Sequence, residues 1–171
     1  MRWLAGIVIV LGCGYVGVFF AGRLYRRVQQ IEALGSALSQ LAFCTGFLSL
    51  PLAEALRRSA SAQSGAVRRL FLQTAELLTL RPGIRPGEAW EEAVRRQESA
   101  LCLKPQELEA LKNFAAHLGR GDKTDILDNI RMTSARLKVA EDSARAEWAR
   151  DGKMYRGLGF LAGIFIVILL M

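Results

Sequence analysis

One histidine, three cysteines and two adjacent acid pairs are the side chains here most suited to active-site chemistry. His117 lies in Phe114-Ala115-Ala116-His117-Leu118, with no second histidine and no cysteine cluster nearby to complete a metal site. As a general base it would need a nucleophile within hydrogen-bond reach, and its neighbours supply none. Cys13, Cys44 and Cys102 are widely spaced, odd in number and free of any C-x-x-C pair, which argues against a disulfide framework or a zinc site. Glu91-Glu92 and Glu141-Asp142 are predicted to lie on exposed helix faces. The phosphate-loop, H-E-x-x-H and G-x-S-x-G patterns are missing. The expectation is a protein that is not an enzyme and uses no cofactor and no metal.

Two patterns remain that could bind something. Gly12-Cys13-Gly14-Tyr15-Val16-Gly17 matches G-x-G-x-x-G and follows the strand-like Ile7-Val8-Ile9-Val10-Leu11. A dinucleotide site also needs a following helix, a second strand and an acid at its end, and Arg26-Arg27-Val28-Gln29-Gln30-Ile31 is not a buried strand. The glycines suit a helix approached closely by another helix equally well. The second pattern is four Arg-Arg pairs: Arg26-Arg27, Arg57-Arg58, Arg68-Arg69 and Arg95-Arg96. They fall on four different predicted helices with Glu54, Glu76, Glu91, Glu92 and Glu98 among them. That spread suits a solvated face with i,i+4 partners, or a contact for an acidic partner, better than nucleic acid, which would want clustered cations and stacking aromatics.

The elements that carry these residues follow from the distribution of charge. The chain has 171 residues, 51% hydrophobic, with 23 Lys+Arg against 16 Asp+Glu. Residues 3–22 and 157–171 hold no charge, whereas residues 23–156 hold every acidic side chain and every basic one except Arg2. Twenty helical residues rise about 30 Å, the thickness of a bilayer's hydrocarbon core. Three arginines directly after the first run, and no small-x-small site within it, favour an uncleaved anchor over a signal peptide. The second run reaches a spanning length once Met154, Tyr155 and a snorkelling Arg156 are added. Gly159 and Gly163 give it a G-x-x-x-G face for close helix packing. Arg23, Arg26, Arg27, Arg150, Lys153 and Arg156 flank the two runs on their inner sides. The positive-inside rule then puts the middle in the cytoplasm and both termini outside it.

Residues 23–156 show no sustained period of two, so the fold class is all-α: a helical bundle of about six helices between an N-terminal and a C-terminal transmembrane helix. Ile31, Leu34, Leu38 and Leu41 continue the first segment as a long rod that breaks near Thr45-Gly46. Pro51 suits the start of a short second helix over 52–60. Val67, Leu70, Phe71, Thr74, Leu77 and Leu78 mark a third helix, and residues 82–87, rich in Pro and Gly, a loop. Ala89, Trp90, Ala93, Val94 and Gln97 mark a fourth. Pro105 opens a fifth, with Leu108, Leu111, Ala115 and Leu118 inside and Gly119 as its stop. Asp122 is the expected cap of a sixth, with Asp125 in its first turn. Ile126, Ile130, Thr133, Leu137, Ala140, Ala144 and Trp148 carry that helix toward the second apolar run. The four short helices are expected at the end of the rods remote from the membrane, where Arg57, Arg58, Arg68, Arg69, Arg95 and Arg96 would meet a partner.

Several stretches resemble a known family. They are Lys153-Met154-Tyr155-Arg156-Gly157-Leu158-Gly159 with its apolar tail, Pro51-Leu52-Ala53-Glu54-Ala55-Leu56, Ala89-Trp90 and Leu118-Gly119-Arg120-Gly121-Asp122. Together they resemble the stage III sporulation protein AB family of endospore-forming bacteria over nearly the whole chain. Ala115, where that family often has Gly, and Ile126, near which it often has Gln, depart from the pattern. The resemblance implies a protein similar to the platform protein F of type II secretion and type IV pilus machines. It implies a place in the mother-cell inner membrane facing the forespore, within a multiprotein channel. The implied partners are a secretion-type ATPase similar to stage III sporulation protein AA, other channel subunits and, in a homo-oligomer, further copies. The alternative carried by the residues alone is a membrane-anchored basic helical module for an acidic partner or nucleic acid.

Overall fold

Apolar residues at spacings of three and four draw one face of the bundle helices inward. The computed structural model describes the backbone of residues 2–118 and 123–170 and the side chains of residues 22–118, 124–151 and 154. Among these residues there is no strand. The helices run α1 (Arg2–Gly46), α2 (Leu52–Ser61), α3 (Gly65–Leu80), α4 (Pro86–Gln97), α5 (Pro105–His117) and α6 (Lys123–Leu170). Residues 7–17 lie wholly within α1, so the G-x-G-x-x-G string has no strand before it and no phosphate-binding turn.

The chain divides into two compact units, Met1–Val28 with Asp142–Met171, and Gln29–Glu141. Both boundaries fall inside the predicted 23–156 bundle. In the first unit, α1 and α6 run antiparallel: Arg27 Nη1 meets Glu147 Oε2 at 2.7 Å, and the rings of Tyr25 and Trp148 are 5.4 Å apart. Among the described residues no helix is long and apolar enough to cross a membrane. The uncharged runs 3–22 and 157–171 are helical as far as residue 170, but, apart from Gly22, their side chains lie outside that description, as does the surrounding of Gly159 and Gly163.

In the second unit the predicted stripes are the core. Ile31, Leu34, Leu38 and Leu41 of α1 are buried with Leu56 of α2, Leu70 and Phe71 of α3, Leu111 of α5, and Ile130 and Leu137 of α6. Trp90 of α4 is fully buried at the centre of an aromatic trio. Its ring meets Phe71 edge-on at 5.2 Å and Phe114 at 5.0 Å, and its indole N–H donates to the Leu111 carbonyl at 3.0 Å. A buried indole needs such an acceptor, because an unpaired polar group in the core costs about 1–3 kcal/mol.

Hydrogen bonds order the helices end to end. Gln30 donates to the Ala100 carbonyl (3.2 Å) and accepts from the Cys102 amide (2.6 Å), so the α4–α5 connection lies at the start of α1's share of this unit. Gln63, in the α2–α3 turn, donates to Ser36 Oγ at 3.3 Å. At the opposite end a Cβ on Gly46 would stand 3.4 Å from the Leu127 side chain, and one on Gly87 2.3 Å from the Ala115 carbonyl oxygen. The short helices therefore run up and down alongside α1 and α6.

Local boundaries differ in instructive ways. Pro51 precedes α2 as its N-cap, one position before the first helical turn. Residues 82–87 are not all loop: Pro86 and Gly87 form the first turn of α4, where proline's missing N–H costs nothing and glycine lets α5's backbone approach. Glu107 accepts from the Lys104 amide at 2.7 Å and so helps cap α5. Leu118 is buried just beyond α5, while Leu78, Leu108, Ile126 and Ala140 are half-buried and Trp148 is exposed. Gly119 and Asp122 lie outside the described residues, and Asp125 does sit in the first turn of α6. Glu141, expected on an exposed face, is buried with Lys138 Nζ 3.1 Å away.

Candidate functional site

An arginine on a helix surface does different work according to what its guanidinium already holds. Arg57 faces Glu54 at 3.7 Å and donates to Thr79 Oγ1 at 2.8 Å, which ties α2 to the last turn of α3. Arg69 donates through Nε to Gln97 Oε1 at 3.0 Å, and Gln97 donates onward to Gln73 at 3.1 Å. Glu92 accepts from Arg96 and, at 3.1 Å, from Arg81. Arg58, Arg68 and Arg95 are exposed and make no ion pair among the described residues. Exposed pairs of this kind are worth about 0–1 kcal/mol, so none holds its arginine strongly.

The six arginines do not form one patch. Arg69 bonded to Gln97 brings the first turns of α3 and the last turn of α4 together, and with them Arg68, Arg95 and Arg96, at the end that contains Gln30. Arg57 reaches instead toward Thr79, at the end carrying the turn between α3 and α4. That second end also exposes apolar surface that the stripes did not foretell. Phe43 and Phe47 stand 5.4 Å apart, and Phe47 is 83% exposed, with Leu48 and Leu80 also in solvent.

The arginines flanking the apolar runs divide similarly. Arg23 and Arg26 are exposed, whereas Arg27 is buried and committed to Glu147. Arg150 donates to Asp151 at 2.8 Å; that hydrogen bond, reinforced by the carboxylate's charge, raises its already high pKa. The side chains of Lys153 and Arg156 lie outside the described residues.

His117 is exposed, with Nδ1 3.0 Å from the Asn113 carbonyl. It borders a groove of about 340 Å³ between α5 and α6, shared with Asp125, Asp128, Met132 and Arg136. Among the described residues no three His, Cys, Asp or Glu side chains are grouped to hold a metal ion. Thr133, the hydroxyl on the groove wall, belongs to the buried face of α6. Among the described residues the groove brings together no acid–base–nucleophile set.

Known proteins resemble this chain along its length. A family model described as stage III sporulation protein AB matches residues 2–171. The stage III sporulation protein AB of Bacillus subtilis (strain 168) is 29% identical over 171 residues, covering 100% of this chain and 99% of that protein. A solved structure of a stage III sporulation protein AB aligns with a TM-score of 0.67 at 27% identity, covering 72% of this chain and 96% of that one. With its helices in place and its sequence matched from the second residue to the last, the chain belongs to the stage III sporulation protein AB family.

Proposed function

We propose that this protein is a membrane-anchored, non-enzymatic platform subunit of a secretion-like channel assembled during sporulation, coupling a cytoplasmic secretion-type ATPase to the membrane complex. One observation carries the reading: a charged helical bundle is bracketed within one chain by two charge-free helical runs, with basic residues on their inner sides. The family membership supports a role in sporulation. In this reading the termini lie outside the cytoplasm, the bundle inside it, and Gly159 and Gly163 at a close helix contact within the bilayer.

Arg57 and Arg58, exposed on α2, are the arginines proposed to meet the ATPase, with the exposed Phe47 at the end of α1 as a proposed apolar contact. Charges at the rim of such a contact govern association rate and salt dependence more than the final affinity. The test is binding of the full chain, wild type and Arg57→Glu/Arg58→Glu, to the ATPase across a salt series. The variant should bind more slowly, with the difference largest at low salt. Equal binding at every salt concentration would remove these arginines from the interface.

A further inference from the structure

We propose that Tyr25 and Trp148 form an interfacial anchor, and that their ligand is the headgroup layer of a phospholipid bilayer. The inference rests on the membrane reading above and adds to it the point at which α6 enters the bilayer.

The pair lies wholly within the unit of Met1–Val28 and Asp142–Met171, the one that contains both uncharged runs. Its rings stand 5.4 Å apart, yet Tyr25 is 45% exposed and Trp148 37%. The ring contacts of Trp90 with Phe71 and Phe114, in contrast, are sealed in a core. Tyrosine and tryptophan collect where one end of the ring is apolar and the other wet, which describes a membrane surface. The charges beside the pair are arranged to suit. Arg27 is committed to Glu147, whereas Arg23 and Arg26 are exposed and free to meet phosphate. Tyr25 follows Gly22, the end of the first run, by three residues of unbroken helix, about 4–5 Å of rise. The headgroup layer extends about 5–8 Å beyond the hydrocarbon, so Tyr25 falls inside it. A protein ligand would have to displace that layer to reach the rings.

The pair also sets the register of the two helices. Tyr25 meets Trp148 and Arg27 meets Glu147, so α1 and α6 are level at these positions. Trp148 precedes Gly157, the start of the second run, by nine residues, about 14 Å of helix. The two uncharged runs therefore do not begin at one depth. Followed three residues deeper, the register brings Gly22 level with Asp151 to within about one turn. From Asp151 to Leu170, where α6 ends, is 20 residues, as many as from Trp3 to Gly22. The second segment thus matches the first in length only by taking in Asp151, Lys153 and Arg156. Asp151 already accepts from Arg150 at 2.8 Å, and lysine and arginine are long enough to snorkel back to the headgroups. The aromatic pair, and not the last charge before Gly157, marks where α6 enters the bilayer.

The test reconstitutes the full chain in phosphatidylcholine nanodiscs whose lipid carries a nitroxide quencher, either near the headgroup or near the end of the acyl chain. Trp3→Phe, Trp148→Phe and the double variant are compared by tryptophan fluorescence. Emission that Trp3→Phe retains and the double variant loses belongs to Trp148, since Trp90 is common to all three. That emission should be quenched several-fold more by the shallow label than by the deep one. Quenching by neither label, or more by the deep one, overturns the interfacial assignment. Trp3, read in Trp148→Phe, reports the first run independently. If neither label quenches Trp3, the membrane reading itself falls, an outcome distinct from the loss of Trp148 quenching alone.

Discussion

Trp90 concentrates more of the fold in one residue than any other side chain of the bundle. It lies between Phe71 and Phe114, from α3 and α5, and its indole N–H is satisfied by a carbonyl of α5. Trp90→Ala should therefore cost about 3–5 kcal/mol, the usual range for deleting a buried aromatic, read as a lowered unfolding midpoint of the full chain in detergent. Two glycines make a sharper comparison. A methyl added at Gly35 meets open space in mid-helix, so Gly35→Ala should stabilise by about 0.5–1 kcal/mol. The same change at Gly87 drives a carbon to 2.3 Å from the Ala115 carbonyl oxygen, and Gly87→Ala should destabilise by about 1–3 kcal/mol despite alanine's better helix propensity. Identical responses at the two sites would mean that α4 and α5 do not approach as described.

At the scale of the element, the long helices are held by different means in the two units. Leu38 and Leu137 belong to continuous apolar stripes on α1 and α6, and Leu111 to the matching stripe on α5. Each cut to Ala should cost about 2–5 kcal/mol. Val139→Ala, on the solvent side of α6, should change little and serves as the control. Between Val28 and Asp142 and the apolar runs, an ion pair takes over from that stripe. Glu147→Leu would remove the carboxylate 2.7 Å from Arg27, whose side chain is 9% exposed. The double change Arg27→Met/Glu147→Leu should then be less damaging than Glu147→Leu alone, since a buried charge that loses its ion-pair partner costs more than the absence of both. A double-mutant cycle by thermal unfolding of the full chain reads the difference.

For the whole molecule, the proposed membrane anchoring assigns each part to one side of a bilayer. Ser61 is exposed on the bundle and Met171 ends the second charge-free run. In a background without Cys13, Cys44 and Cys102, an impermeant thiol reagent outside intact cells should label a cysteine added after Met171 and leave one at Ser61 untouched. Labelling at Ser61 would invert the proposed topology. The pattern matters for the arginines too, because inverted topology would put Arg57 and Arg58 out of reach of the proposed cytoplasmic partner.

Helix number, helix type and most of the core were legible in the sequence because they depend on residues three and four apart. The spacing of Ile31, Leu34, Leu38 and Leu41 already defines a face, and Pro105 and Gly46 already mark ends. Proline in Pro86 was misleading for the same local reason, since it is equally at home in a loop and at the first turn of a helix. What joins one helix to another was not legible. Arg27 and Glu147 are separated by 120 positions, and no local pattern distinguishes that arginine from its exposed neighbour Arg26. Glu141 shares a sequence pair with Asp142, yet only the rotation of α6 against its neighbours buries one and exposes the other. The same holds for the arginine pairs: charge is written in the sequence, but which charges share a surface follows from helix direction and order. Those are set by how apolar faces fit together across the core, and only the folded chain decides that fit.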